Sequence, residues 1–552
     1  MSSIKIYRAR KIITMNRSAP AATHVAVREG RILAVGSAED AAAWGAGDAD
    51  ARYADHVLMP GLVEGHSHLM AGSLWRYPFV GFHPRTAPDG KRWEGCTDFN
   101  AVVQRLRAIE QAMPPGNEPL LAWGFDPIFF GDARMTARDL DQVSATRPIA
   151  ILHASQHLMN VNTPMLALAG IDADTDIEGI VRDAAGNPSG ELQEFAAMFP
   201  VNRAIGNAFR LSGMSLEGLR NFGQIARLAG VTTATDLVND LSEDSLNGLL
   251  AATTEAGYPC RVVPAFNSPF GGLTLDESIA RVREAALRSH DKLRLGAIKI
   301  VADGSIQGFT ARVRWPGYYN GAPNGIWILP PDELRARILG FHKAGLQMHI
   351  HVNGDEATEV VIDALEAALT AHPRPDHRHT LQHCQMADAA QFRRMAALGL
   401  CVNLFANHIY YWGDAHHALT MGPDRANRMD ACGTALAHGV PMAMHSDAPI
   451  TPLGPLFTAW CAVNRRTSSG RLLGEAERIT VAQALHAITL GAAYTLKMDD
   501  RIGSIEVGKH ADFCVMEDDP ETVDPAALKD VRIAGTVVGG EPTLGLAGEA
   551  RP

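Results

Sequence analysis

The sequence predicts an α/β protein: a barrel of eight parallel strands, a small β domain made from both chain ends, and a large insertion after the first barrel strand. Three observations predict it. From Gly230 onward, short apolar runs alternate with amphipathic segments, the rhythm of a parallel sheet built from βαβ units. With HVLMPGLVEGHSH (56 to 68) counted first, the runs number eight, which is the number that closes a barrel. Both chain ends carry strand-like segments too small to bury much alone.

Taken in order, KIYRARKIITM and HVAVREGRILAVG read as short alternating strands, with Glu29-Gly30 at a hairpin turn. After the first barrel strand, residues 70 to 225 are rich in Pro, Gly and aromatics and break the rhythm. That stretch is read as the insertion, with its own segments LLAWGFDP and IAILHASQHLMNVNTPMLALAGI. The remaining barrel strands are GVTTATDLV, RVVPAFN, RLGAIKIVADG, LQMHIHVNGD, RHTLQHCQ, LCVNLFAN and VPMAMHSDAP. EATEVVIDALEAALTAH and AAQFRRMAALG supply amphipathic helices between them. GSIEVGKHADFCVME (503 to 517) and VRIAGTVVGGEP (531 to 542) return to strand patterning, and the tail after residue 540 is expected to be loose. The expected division is 1–58 and 505–552 for the β domain and 59–504 for the barrel, the insertion at about 70–225 included.

At 552 residues, 46% hydrophobic and 20% charged, the composition is that of a soluble globular protein. A net charge of −11 without a Lys/Arg run argues against nucleic acid or an anionic membrane as partner. Seven scattered cysteines without a CxxC exclude a disulfide framework or a zinc knuckle. The first residues, MSSIKIYRARKIITM, lack the apolar core of a signal peptide, and no stretch approaches a membrane span. The expected address is the cytoplasm and the expected partner a small-molecule substrate; a homo-oligomer stays open.

His66 and His68 stand one residue apart at the end of an apolar run, so they share a face wherever the strand continues through them. Two adjacent imidazoles suit a metal. Barrel enzymes keep their sites at the carboxyl ends of the strands. There the fourth strand offers Lys299, the fifth His351 with His349 two residues earlier, the sixth His383 and the eighth Asp447. Each has a bland alternative: a hydrogen-bonded structural histidine, a solvated lysine, an aspartate capping a turn. Together they favour a metal, because chance must otherwise place them at equivalent points of five strands. Asn353-Gly354 in HVNGDEAT is too little for a phosphate loop.

In PGLVEGHSHL, IKIVADGSIQGFTARV, HVNGDEAT, LQHCQM, HSDAPI and GSIEVGKHADF, with HLMNVNTPMLALAGI and GELQE in the insertion, the chain resembles the metal-dependent amidohydrolase superfamily. Within it, the likeness is to the YtcJ-like branch that includes N-substituted formamide deformylase. The resemblance implies a (β/α)8 TIM barrel beside a small β-sandwich formed by both termini. It also implies a centre of one or two divalent ions. His66 and His68 would hold one ion, His351 and His383 the other, with Asp447 as ligand and as catalytic base beside the water. Nitrogen and oxygen donors without thiolates suit Zn²⁺ and would also hold Mn²⁺, Fe²⁺ or Co²⁺. A protonated Lys299 would repel a cation; relatives with a lysine there carboxylate it into a bridging ligand. Glu191, in GELQE, is the alternative bridge, and Lys299 is preferred for its strand position. His157 matches a histidine common in this branch, and Tyr411 and Trp412 stand on a presumed loop after the seventh strand; all three are candidate substrate contacts.

The expected function is hydrolysis of a C–N bond in an amide, formamide or cyclic amide by a metal-activated water. An esterase or lactonase, or a mononuclear deaminase or decarboxylase on the same barrel, is the alternative within catalysis. A non-catalytic small-molecule binder is the alternative outside it.

Overall fold

The run at 56–68, expected as one strand, is cut in two. Val57–Pro60 joins the sheet of the chain ends, antiparallel to Phe513–Met516 and parallel to Lys5–Ile13. Leu62–Glu64, here β1, opens the barrel. The cut has a local cause. Pro60 has no N–H to offer a ladder, and at Gly61 a Cβ would sit 1.9 Å from Thr232 Oγ1, so only glycine lets the chain pass. The structure is a computed structural model that describes residues 3–543 except 46, 132, 212–214, 270 and 271.

Seven strands follow β1 in the barrel: β2 (Val231–Asn239), β3 (Arg261–Ser268), β4 (Ala297–Val301), β5 (Gln347–Val352), β6 (Thr380–His383), β7 (Cys401–Leu404) and β8 (Met442–Met444). Each pairs in parallel with the next in chain order. Their near-continuous burial is what a sheet covered on both faces requires. Closure comes just past the strand ends, where Ser67 bridges Ala448. His68 N–H donates to Ala448 O at 2.8 Å and Asp447 N–H to His66 O at 3.1 Å. Buried Glu64 staples the same seam, accepting from Ser446 Oγ at 2.7 Å and Ser446 N–H at 3.1 Å. Burial pushes the Glu64 carboxyl up to about 8. The result is a (β/α)8 barrel.

Between strands the amphipathic segments are helices. Asp355–Ala371 buries Ala357, Val361, Leu365 and Ala368 at helical spacing. Ala389–Leu398 starts on an Asp388–Gln391 capping box and stops at left-handed Gly399.

The chain ends form one mixed sheet around Lys5–Ile13. Ala21–Arg28 and Arg31–Gly36 make a hairpin whose central residues, Glu29 and Gly30, both have positive φ (52° and 74°), as a type I′ turn demands. Ile533–Val538 and Glu541–Pro542 extend the other side. The sheet rolls on itself through an Arg31–His510 bridge and Ile32 N–H to Lys509 O at 3.0 Å. Tyr7, Ile12, Val25, Leu58, Phe513 and Val537 fill the interior. Residues 503–511, expected in a strand, instead turn at Gly503 and Gly508, where φ is 85° and 87°. The tail expected to be loose falls, from residue 544, outside the described residues.

The chain divides into two compact units, one of residues 1–68, 223–448 and 453–552, the other of 69–222 with 449–452. The second has its own five-stranded sheet, in the order Ile180–Arg182, Pro188–Gln193, Leu158–Val161, Ile149–His153 and Leu120–Phe125. Its cores gather Phe79, Trp123, Met159 and Leu192 on one side and Phe125, Leu106 and Ile151 on the other. Among the described residues no helix is long and apolar enough to cross a membrane. The seven cysteines are all free and buried.

Candidate metal centre

β1 ends at Glu64, and His66 and His68 flank the bridging residue Ser67. Their rings lie 5.3 Å apart at 81°, so they point to a common region without being parallel. His66 is held by Gln382 of β6. Asn403 Nδ2–H donates to Gln382 Oε1 at 2.9 Å, and His66 Nδ1 lies 2.9 Å from the same oxygen. An amide oxygen only accepts, so the His66 proton is on Nδ1 and the lone pair is on Nε2. On the other side of Gln382, its Nε2–H donates to His349 Nδ1 at 2.9 Å. His349, buried and pushed down to about 3 by that burial, is part of this support.

The His66 Nε2 lone pair faces Lys299 Nζ at 3.3 Å and Asp447 Oδ1 at 3.4 Å. Lys299 is 1% exposed on β4, and burial pushes its ammonium down to about 7. Asp447 Oδ1 also lies 3.0 Å from His68 Nε2, and Oδ2 lies 3.8 Å from His383 Nδ1. Burial alone would raise the Asp447 carboxyl; the His68 hydrogen bond and the nearby His68, His445 and Lys299 charges outweigh it, so it stays below its ordinary value. His383 and Asp447 both have left-handed backbones, φ 68° and 53°. Such conformations cost roughly 1–3 kcal/mol each outside glycine, less for aspartate. They turn both side chains out of line with their strands.

His351 lies with its ring 4.5 Å from that of His383. Its Nε2 is engaged locally, 3.0 Å from Asn353 Nδ2 and 3.3 Å from Gly304 O. Ligand atoms within 4.8 Å of one another define two triads, His66–His68–Asp447 and His66–His383–His445. His445 did not figure among the sequence candidates. The signal was available: it stands two residues before Asp447, the same spacing that singled out His66 and His68. Gln382 had no such signal, since nothing in its neighbourhood marks it.

The donors fit a divalent ion. They are nitrogens and carboxylate oxygens, with no thiolate, as Zn²⁺ and its neighbours accept. Burial holds His66 and His383 well below the ordinary histidine range, so both are neutral and offer lone pairs. His383 Nδ1 and both ring nitrogens of His445 are buried without a hydrogen-bond partner. Each such atom costs about 1–3 kcal/mol, which an ion would offset.

The remaining candidates are Tyr411, Trp412, His157 and Glu191. Residues 407–415, expected as a loop, are the helix Asn407–Ala415. The correction has a physical reason: His408, Trp412 and His416 recur every fourth residue and face inward together. Trp412 is buried against His408, ring centroids 4.4 Å apart, while half-buried Tyr411 packs on Phe457 at 5.8 Å. His157 and Glu191 belong to the unit of residues 69–222. There His157 Nδ1 lies 2.9 Å from Glu194 Oε2, and buried Glu191 accepts from the Arg134 guanidinium and, at 2.7 Å, from Gln193 Nε2.

A closed (β/α)8 barrel with buried histidines, a lysine and an aspartate at its carboxyl-terminal strand ends defines a metal-dependent barrel hydrolase. Residues 54–544 match the model of the Amidohydrolase family, and the chain belongs to that family. It is 27% identical over 513 residues to YtcJ of Bacillus subtilis, covering 88% of each chain. It is 25% identical over 527 residues to N-substituted formamide deformylase of Arthrobacter pascens, covering 94% of each. Its fold matches that of a metal-dependent hydrolase from Pyrococcus horikoshii with a TM-score of 0.73 at 19% identity, over 95% of this chain and 99% of the other.

Proposed function

We propose that this protein hydrolyses a C–N bond of an amide, formamide or cyclic amide, with one or two divalent ions, Zn²⁺ foremost, held by His66, His68, Lys299, His351, His383 and Asp447. One observation carries the reading: His66, His68, His383, Lys299 and Asp447, from four separate chain segments, converge at one end of the barrel. The relationship to N-substituted formamide deformylase supports an amide-type substrate.

A bound ion supplies Lewis acidity, lowering the pKa of a water and polarising the scissile carbonyl. Asp447 accepts the proton of the attacking water and delivers it to the leaving nitrogen. His68, at 3.0 Å, keeps the carboxylate oriented for both transfers. Gln382 holds His66 in the tautomer whose Nε2 is free to ligate. Burial of Lys299 disfavours a charged ammonium. Its neutral amine would add CO₂ through the Nζ lone pair with release of a proton, and the carboxylate so formed would be a ligand where the ammonium would repel a cation.

The test is turnover of a panel of N-formyl amines, lactams and simple esters, with and without a chelator. The expected result is amine release that chelation abolishes and added Zn²⁺ restores. Metal analysis should find between one and two ions per chain, mostly lost from the His66→Ala/His68→Ala double variant. Ester turnover alone would move the assignment to an esterase; full activity under chelation would overturn metal dependence.

A further inference from the structure

We infer that the amino-terminal mouth of the barrel binds one small oxyanion, of the carboxylate or phosphate class, between His349, Arg294 and Lys497. The inference is independent of the hydrolase reading, whose residues stand at the other ends of the strands. A cavity of about 180 Å³ opens at the mouth. It lies where β4 begins at Ala297 and β5 at Gln347, with Val263 and Leu496 as apolar walls. Pockets for drug-sized ligands start at roughly 300 Å³, so a ligand here has few atoms. No carboxylate lines the cavity.

Its inner end is His349, 1% exposed. Gln382 Nε2–H donates to His349 Nδ1 at 2.9 Å, and a neutral imidazole has one acceptor nitrogen and one donor. The His349 proton is therefore on Nε2. The orientation of Gln382 that this needs is set by its Oε1, which accepts from Asn403 Nδ2–H and lies 2.9 Å from His66 Nδ1. With Nδ1 turned to Gln382, the Nε2–H is left for the cavity, and among the described residues no group accepts from it. A buried donor in that state costs about 1–3 kcal/mol, which an acceptor in the cavity would offset.

The rim supplies the charge. Half-buried Arg294 donates from Nη1 to Lys497 O and, among the described residues, forms no ion pair. Most of its N–H donors stay open to a ligand, in the planar fork that suits an oxyanion. Lys497 Nζ lies 3.9 Å from Asp376 Oδ2, and Asp376 is already paired with Arg378. Burial and the charges of Arg501 and Arg378 lower the Arg294 guanidinium from its ordinary value, against Asp500 and Asp499. Burial lowers the Lys497 ammonium too, with Asp376 opposing and Arg374, Arg378 and Arg294 adding to the fall. Both cations are thus crowded by others of their sign. Water would satisfy the His349 donor, but only an anion also relieves that crowding. The hydrogen bonds continue from His349 through Gln382 to His66, so an acceptor here favours the tautomer that leaves His66 Nε2 its lone pair.

The test titrates inorganic phosphate and, separately, acetate into the full-length protein as purified, at constant ionic strength, read by calorimetry. The expected result is a saturable site in the wild type that Arg294→Gln weakens about 10- to 100-fold, the worth of a hydrogen bond to a charged group. Lys497→Gln, at the half-buried rim, should weaken it as well. The tighter of the two anions tells a tetrahedral ligand from a carboxylate. Wild-type crystals soaked in that anion should show it within hydrogen-bond distance of His349 Nε2, a result that does not depend on how the variants fold. Binding of equal strength in the wild type and both variants, no saturable binding, or water alone beside His349 in the soaked crystals would overturn the inference. Each of these leaves the hydrolase reading standing, since that reading is tested by chelator-sensitive turnover.

Discussion

Replacing Asp447 with asparagine exchanges one carboxylate oxygen for an amide nitrogen and leaves the size of the side chain unchanged. The backbone at this position is left-handed, with φ 53°, and asparagine tolerates that conformation about as well as aspartate. Alanine would not, and would add roughly 1–2 kcal/mol of backbone strain to any functional effect. The amide oxygen can keep the 3.0 Å contact with His68 Nε2, so the fold should lose less than about 1 kcal/mol. What the variant cannot do is accept a proton. A positioned acid or base is worth roughly 10²- to 10⁴-fold, or about 2.7 to 5.5 kcal/mol of transition-state stabilisation. The loss should fall on kcat with KM little changed, because the proton moves only in the transition state. The assay is steady-state amine release at saturating Zn²⁺, with metal content and melting temperature measured on the same preparation. A rate within about threefold of wild type, with metal retained, would remove Asp447 from the proton transfer. A rate loss that follows metal loss would make Asp447 a ligand alone.

Other consequences can be checked alongside. Lys299→Ala should lower metal occupancy and activity together while leaving the chain folded, and short carboxylic acids should restore part of the activity; no rescue, with metal fully retained, would remove Lys299 from the ligand set. Arg261, 1% exposed, meets Asp512 through Nε at 2.6 Å and Nη2 at 3.1 Å, so Asp512→Ala strands a buried charge and should cost about 3–5 kcal/mol in urea unfolding. A cost below about 1 kcal/mol would show that Asp291, 3.0 Å from Nη1, suffices. His342, His377 and His379 form a second histidine group, with His379 Nε2 2.9 Å from His342 and its Nδ1 accepting from Met348 N–H at 3.2 Å. Burial lowers all three below the 6.5 of a free histidine. The unfolded chain therefore binds more protons below about pH 6.5, and stability falls as pH drops through that value. The melting temperature should decrease from pH 7.5 to 5.5, and His379→Gln should flatten the dependence; an unchanged slope would exclude this group as its source.

The eight barrel strands were legible because a parallel sheet covered on both faces writes itself as short apolar runs between amphipathic helices. Once the runs are counted, the strand ends follow, and with them His66, His68, Lys299, His351, His383 and Asp447 as candidates, although in the register Lys299 pairs with His349 rather than His351. The hairpin at Glu29-Gly30 was legible for a similar reason, since a two-residue turn is a local property. Four features were decided only by the folded chain. The break at Gly61 depends on Thr232 lying against it. The helix at 407–415 was hidden because its inward face is made of His408 and Trp412, with His416 just past its end, residues that read as polar or aromatic loop in a linear scan. The role of Gln382 depends on a partner 316 residues away, and the surroundings of His445 on the rings of His66 and His383. Periodicity records only which side of its own element a residue occupies. Which side chains from different strands then meet is set by barrel closure and register, and closure here runs through the Ser67–Ala448 bridge and the Glu64–Ser446 contacts, which no stretch of sequence contains.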